Sequence, residues 1–396
     1  MKARILSLAT LILLSTSACA DRATAQAVPP VTPLLAATSS EEAPPMSSAD
    51  APLVQVAILL DTSNSMDGLI NQARASLWRI VTELSRAKRQ GLTPRLEVAL
   101  YEYGNDRLAA SEGHIRQVVP LTTDLDRISE ELFALTTNGG SEHCGQAVQR
   151  AVSGLSWSSR TDALKLVFVA GNEPFDQGPV NWREAMRSAI GQGVVVNTVH
   201  CGSDSEGVRG HWREAAQLAD GQYTIIDANR EVAQVAAPQD AELQALNREL
   251  NDTYVAFEQR GKGKKDRMLE QDQAASSIGS ATANERVAAK ASANYDASDW
   301  DIVSAEAAGA VALDGIAEEE LPAELKRLSK DERKGFVAEK ARKRKELQAK
   351  IAKLSDERRG FVAAQKPASP AGAPASFDDA VVDTLKSQGE KKGLTW

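Results

Sequence analysis

Aromatic side chains are scarce in this chain, 5% of 396 residues, so its core must be built mainly from aliphatic groups. Basic charge is not in surplus either: 46 Lys and Arg face 54 Asp and Glu, a net charge of −8, with a pI near 5.3. Binding to a phosphate backbone needs Lys and Arg concentrated on one face, so nucleic acid is not expected as a partner. Beyond the N-terminus no apolar run is long enough for a transmembrane helix. A G-x-S-x-G elbow and a phosphate-cradling G-x-x-x-x-G-K-[ST] loop are both missing, which removes two common enzyme sites. Cysteines number three, Cys19, Cys144 and Cys201.

What is present begins with an export signal over residues 1–20. Lys2 and Arg4 precede an apolar run from Ile5 to Leu14, and Ala18-Cys19-Ala20 gives an A-x-A cleavage pattern. Cys19 offers a rival ending, cleavage after Ala18 and lipid attachment, which would tether the chain to a membrane; Thr16 stands where such signals usually carry Leu. Either way the mature protein is expected outside the cytoplasm, in the periplasm, at the outer membrane or beyond the cell. Residues 21–52 hold Pro29, Pro30, Pro33, Pro44, Pro45 and Pro52 among Ala, Ser and Thr, a composition that cannot repay the entropy of folding. They read as a linker.

Between 53 and 228 apolar strands alternate with amphipathic helices, the pattern of a mostly parallel sheet covered on both faces. Strands are predicted at Val54–Leu60, Arg95–Tyr103, Ile115–Leu121, Leu164–Ala170, Val194–Val199 and Tyr223–Ile226. The short turn between the second and third allows an antiparallel edge. Helices are predicted over the stripe Leu69, Ile70, Ala73, Leu77, Ile80, Val81 and Leu84, and at Leu125–Leu135, Gln146–Leu155, Trp182–Ile190 and Arg209–Leu218. The fold class is therefore α/β, an open, Rossmann-like doubly wound six-stranded sheet whose ligands bind at the carboxyl ends of the strands.

From 229 to 320 strand signals disappear, and Leu243, Leu246, Leu250 and Tyr254 show helical spacing before a basic, Gly-punctuated break at Gly261–Lys265. A charged repeat region follows at 321–366, where Leu328–Ala338 returns as Leu354–Ala363 and each copy offers a Ser (Ser329, Ser355) as helix N-cap. It predicts a helical hairpin or coiled coil that packs on itself or on a second chain; a sharper reading makes Phe336 and Phe361 paired anchors for a partner. Residues 367–396 read as a tail, and the C-terminal region as largely helical and partly disordered.

Directly after the first strand stands Asp61-Thr62-Ser63-Asn64-Ser65. Two hydroxyls and a carboxylate supply the hard oxygens that a small divalent cation prefers, at the edge where such a sheet presents ligands. The bland alternative is that these residues only cap the following helix. The D-x-S-x-S sequence, with the strand and helix order after it, resembles the metal-ion-dependent adhesion site of von Willebrand factor type A domains. The resemblance implies that fold over residues 53–228 and a bound Mg2+, Ca2+ or Mn2+. It also implies a second loop with a hydroxyl ligand, for which Gly139-Gly140-Ser141-Glu142 offers Ser141, with Glu142 as a possible carboxylate substitute. A third loop normally brings an Asp at the end of the fourth strand. Here Gly171 stands in its place, and Glu173, two residues on, is the expected third-loop ligand, reaching the ion directly or through water.

Hydroxyls with one or two carboxylates leave a divalent cation under-neutralised, so an acidic group from a partner protein is the expected last ligand. No base, nucleophile or second metal accompanies the motif, so the chain is read as a binding module and not an enzyme. The rivals are an envelope scaffold with a decayed site, working through its helical tail, and a metal-dependent hydrolase, which would want a second Asp where Ser63 stands. Cys144 and Cys201, an even pair in an oxidising compartment, suggest a disulfide. Zinc held by His143, Cys144, His200 and Cys201 is disfavoured, because adjacent strand residues face opposite ways.

Overall fold

The computed structural model describes residues 51–230, 234–365 and 375–396. The export signal, Cys19 and all but the last two residues of the linker lie outside them. Six strands form one sheet: β1 (Leu53–Asp61), β2 (Arg95–Tyr103), β3 (Ile115–Thr122), β4 (Leu164–Gly171), β5 (Val195–Cys201) and β6 (Tyr223–Ile226). Their order is β3-β2-β1-β4-β5-β6, parallel throughout except for the antiparallel β2/β3 edge. This is the doubly wound sheet that the sequence predicts. Alternation along the strands sorts side chains between two layers. Val54, Val56, Ile58 and Leu60 of β1 face α1 (Asp67–Arg86) and α2 (Leu125–Ala134), while Ala57 and Leu59 face α3 (Cys144–Gly154), α4 (Trp182–Gly191) and the helices after β5.

The single helix expected at 209–218 is two, α5 (Asp204–Arg209) and α6 (Trp212–Leu218). A Ser203–Glu206 capping box starts the first, and His211, at a φ of 66°, breaks the chain between them. The expected Cys144–Cys201 disulfide is absent: both are buried free thiols. The reason is strand parity. Cys201 ends β5 facing the α1 layer, whereas Cys144 opens α3 in the opposite layer, so the sheet separates them.

After β6 the chain builds α7 (Asp240–Asn251), α8 (Lys262–Ile278), α9 (Ser280–Lys290), α10 (Ile302–Ala307), the single turn α11 (Ala323–Lys326) and α12 (Lys330–Gln365), then α13 (Phe377–Glu390). The break expected at Gly261–Lys265 is confined to Gly261, where a Cβ would strike the Trp300 carbonyl and the Phe257 backbone; α8 begins at the next residue. Both repeat copies lie on the one 36-residue α12, not on two arms of a hairpin. Val337, Arg344, Leu347, Ile351 and Arg358 are buried at spacings of seven, three, four and seven, a single unbroken stripe. Ser329 caps this helix together with Glu332, but Ser355 sits mid-helix with its hydroxyl unpartnered, so the second N-cap is not formed.

The expected tail contains α13, which covers the sheet. Ala375 pairs in parallel with Ile226 at the end of β6, and Phe377, Val381, Val382 and Leu385 enter the α1-side core. Gln388 exchanges buried hydrogen bonds with Asn197 on β5, and Gln72 of α1 ties the Phe377 N–H to the carbonyls of Asp227 and Ala228. Topologically, the segment from 228 to 374 is thus inserted between the last strand and the helix that closes its face. The insertion is welded to the sheet domain through buried charge. Arg286, 1% exposed, stacks on Trp78 and pairs with Asp126 of α2 and with Asp272, which also takes Lys290. Arg286 and Lys290 hold the Asp272 carboxyl well below its ordinary range, against the effect of burial.

Phe377→Ala should destabilise the whole protein by about 3–5 kcal/mol in urea denaturation, the range for emptying an aromatic core site; a loss below about 1 kcal/mol would show that α13 is an appendage. Asp126→Ala should cost a similar ~3–5 kcal/mol by leaving Arg286 buried without its partner.

Candidate functional site

β1 and β4 are the central neighbours where strand order reverses direction, and the crevice at their carboxyl ends is where this architecture presents ligands. Asp61 ends β1 there, fully buried. Its Oδ1 accepts from the Ser63 N–H at 2.8 Å, while its Oδ2 is buried with no hydrogen-bond partner among the described residues. The motif loop is fixed by its backbone: Thr62 N–H donates to the Tyr103 carbonyl (2.8 Å), Asn64 N–H to Gly139 (3.0 Å), and Asn138 N–H to Thr62 (2.9 Å). These bonds bring the ends of β1 and β2 and the 138–142 loop together.

The motif hydroxyls do not cap a helix. Ser63, 1% exposed, precedes a 3-10 turn without a side-chain capping bond, and α1 likewise begins without one. Instead Ser63 Oγ and Ser65 Oγ lie 3.3 Å apart, and Asn172 Nδ2 of the third loop donates to Ser65 Oγ at 3.2 Å. The capping alternative fails on this geometry.

Glu142 reaches the same place from the second loop and is 4% exposed. The Ser63 side chain stabilises its charge, and burial with the neighbouring Glu173 carboxylate raises its pKa. Burial pushes the Asp61 carboxyl up to about 7; the Ser63 N–H opposes this, and the charges of Glu142 and Glu173 add to it. Asp61, Glu142 and Glu173 therefore form one repelling group, which a cation would relieve. Glu173 is half-buried, accepts from Gln177 Nε2 at 3.1 Å, and has its carbonyl held by the Trp212 indole at 2.8 Å. Ser141 is adjacent through a backbone bridge to Gly104, but its hydroxyl makes no hydrogen bond among the described residues. Nor do any three His, Cys, Asp or Glu side chains there make a metal cage by themselves; a cation at this place needs the hydroxyls.

Two residues that shape the site escape a motif-based reading. Tyr103 ends β2 fully buried, donates its hydroxyl to the Ala170 carbonyl at 2.9 Å and receives the Cys144 thiol at 3.5 Å. A Cβ on Gly171 would overlap that hydroxyl and lie 3.0 Å from Asp61 Oδ2. The space an Asp would need at the end of β4 is taken by Tyr103. Gly104, at a φ of 81°, is the second: a Cβ there would come within 2.8 Å of Asp61 Oδ1 and 2.9 Å of Glu142 Cγ. The visible signal was a Tyr-Gly pair ending a buried strand at the same edge as Asp61.

Fold and site together define an α/β domain with an oxygen-lined cluster at its sheet edge. Residues 55–235 match the von Willebrand factor type A domain family, and this part of the chain is a domain of that family. Among solved structures, an aerotolerance-related membrane protein from Bacteroides fragilis is 18% identical over 44% of this chain and 93% of its own, with a TM-score of 0.31. The conserved hypothetical protein BatB from Bacteroides thetaiotaomicron is 16% identical over 56% and 99%, with a TM-score of 0.34. Proximal thread matrix protein 1 of the mussel byssus, with a zinc-occupied adhesion motif, is 16% identical over 44% and 42%, with a TM-score of 0.32. Comparison with curated proteins gives no match. No helix among the described residues is long and apolar enough to cross a membrane.

Gly171→Ala should lower stability by about 1–3 kcal/mol through overpacking against Tyr103. In a double-mutant cycle Tyr103→Phe should recover part of that loss; strict additivity would show that the hydroxyl does not fill the missing Asp's place.

Proposed function

We propose that this chain is an exported, non-enzymatic protein-binding module whose sheet-edge cluster holds one divalent cation, Mg2+ or, in its stead, Ca2+ or Mn2+. Asp61, Ser63 and Ser65 would hold the ion, with Ser141, Glu142 and Glu173 as the further oxygen donors within the loops. The observation that carries this reading is the orphaned Asp61 Oδ2. A buried carboxylate oxygen without a partner is costly, and carboxylates with hydroxyls make the donor set of a hard cation. When bound, the ion would supply positive charge that locks three loops into one recognition surface. The protein's own groups do the rest. The backbone bonds from Thr62, Asn64 and Asn138 preset the loops, and the Asn172–Ser65 contact ties the third loop to the first.

Export rests on the N-terminal signal pattern, as does the alternative of a lipid tether at Cys19. Because α12 spends its buried face inside its own chain, self-association would have to use its exposed, charged side.

Adding Mg2+ to the full-length mature chain at about 100 times its Kd should stabilise it by about 2.7 kcal/mol, read as a rise in thermal midpoint. Ser63→Ala with Ser65→Ala should abolish the rise. An unchanged midpoint with Mg2+, Ca2+ and Mn2+ alike would favour the scaffold reading. Residues 53–228 alone are unsuitable for this test, because they lack the α13 that covers the sheet.

A further inference from the structure

The sequence leads one to expect that a partner's Asp or Glu completes the ion's shell, and Glu142 bears on that expectation. It is not a rim residue. It is 4% exposed and faces Asp61 across bare backbone: a Cβ on Gly104 would lie 2.9 Å from Glu142 Cγ and 2.8 Å from Asp61 Oδ1. The vacancy it answers is also visible: the end of β4 carries no carboxylate, because the Tyr103 hydroxyl fills the space beside Gly171. Asp61 Oδ2, buried and unpartnered, is the independent sign that the cluster awaits a positive ligand.

Resting on the metal-centred reading above, we infer that Glu142 is a built-in substitute for the partner's acidic group, so that the loaded site is closed to carboxylate ligands. The charges lead to the same result. With a cation bound and both groups ionised, Asp61 and Glu142 would together carry −2, equal and opposite to a divalent cation, and an ionised Glu173 nearby would bring the local sum to −1. An ion already neutralised has no electrostatic surplus to offer a further anion, and an anionic shell repels one. The loops around it continue the bias, with Asp67, Asp106, Asp176, Asp204 and Glu206 at or just beyond the carboxyl ends of the strands, against Arg107, Arg209 and Arg213, the last paired with Asp204 at 2.7 Å. A partner recognised here presents Lys or Arg to the edge, and not Asp or Glu to the ion. Glu142 is then the residue that sets partner specificity.

The test uses the full-length mature chain saturated with Mn2+, and 13C-acetate as a stand-in for a partner's carboxylate. Paramagnetic relaxation of the acetate carbon reports entry into the ion's shell. Wild type should show no saturable relaxation above that of Mn2+-free protein. Glu142→Ala should bind Mn2+ about tenfold more weakly and should gain saturable, Mn2+-dependent acetate relaxation. Glu142→Gln keeps the side-chain volume, guards against a misfolded variant, and should also gain it. Acetate entry in the wild type overturns the inference while leaving the metal-centred reading intact. So does a variant that holds Mn2+ without admitting acetate, or one that loses Mn2+ altogether, which would make Glu142 an indispensable ligand instead of a substitute. Failure of the wild type to bind Mn2+ overturns both readings, and that signal is distinct from the others.

Discussion

One buried oxygen constrains the centre of this molecule. Asp61 stands at the end of a central strand whose nine residues are all buried, so neither the backbone nor the side chain can move out to water. One carboxylate oxygen is satisfied by the Ser63 N–H and the other by nothing among the described residues. Burial and the neighbouring acidic groups raise the cost of ionising Asp61, and the surrounding loops are pinned by backbone bonds that keep those groups in place. Such strain persists only where the fold over-determines it. The rest of the sheet edge, with two glycines that make room and a tyrosine that takes room away, is arranged around that carboxylate.

The remainder of the chain holds this edge still. α1 begins three residues after the Thr62–Asn64 loop, and its far side is shared by α9 and α13. The helical insertion therefore braces the helix that follows the motif through Arg286, Trp78 and Asp126, and α13 braces it through Phe377, Gln72 and Asp378–Arg79. Buried ion pairs give little net stability compared with apolar packing, but removing one partner from such a pair is costly. They fix the orientation of the insertion more than they drive its folding.

The sheet was legible because its signal is local. Apolar runs such as Val56–Leu60 and Leu166–Ala170, separated by helical stripes, leave few alternatives, and strand positions agree with expectation to within a residue or two. The D-x-S-x-S loop was legible for the same reason, since its residues are contiguous. What could not be read depends on contacts distant in sequence. Parity across the sheet parts Cys144 from Cys201, and no spacing rule reveals it. Nothing local to residues 377–390 says that their apolar face closes a sheet completed about 150 residues earlier. The two repeat copies looked like two capped helices because Ser329 and Ser355 share a context. One unbroken stripe of buried residues along the whole segment overrides the second cap, and the only cost is an unpartnered hydroxyl. At the site, Gly171 registered as a defect in the motif, whereas the structure shows its counterpart in Tyr103 and a carboxylate reaching in from Glu142.

The most direct measurement is an anomalous difference map from crystals of the protein grown with Mn2+. The account predicts one strong peak at the carboxyl ends of β1 and β4, bounded by Asp61 Oδ2, the Ser63 and Ser65 hydroxyls and the Glu142 carboxylate. A map with no peak there, and with an ordered water satisfying Asp61 Oδ2 instead, would contradict it.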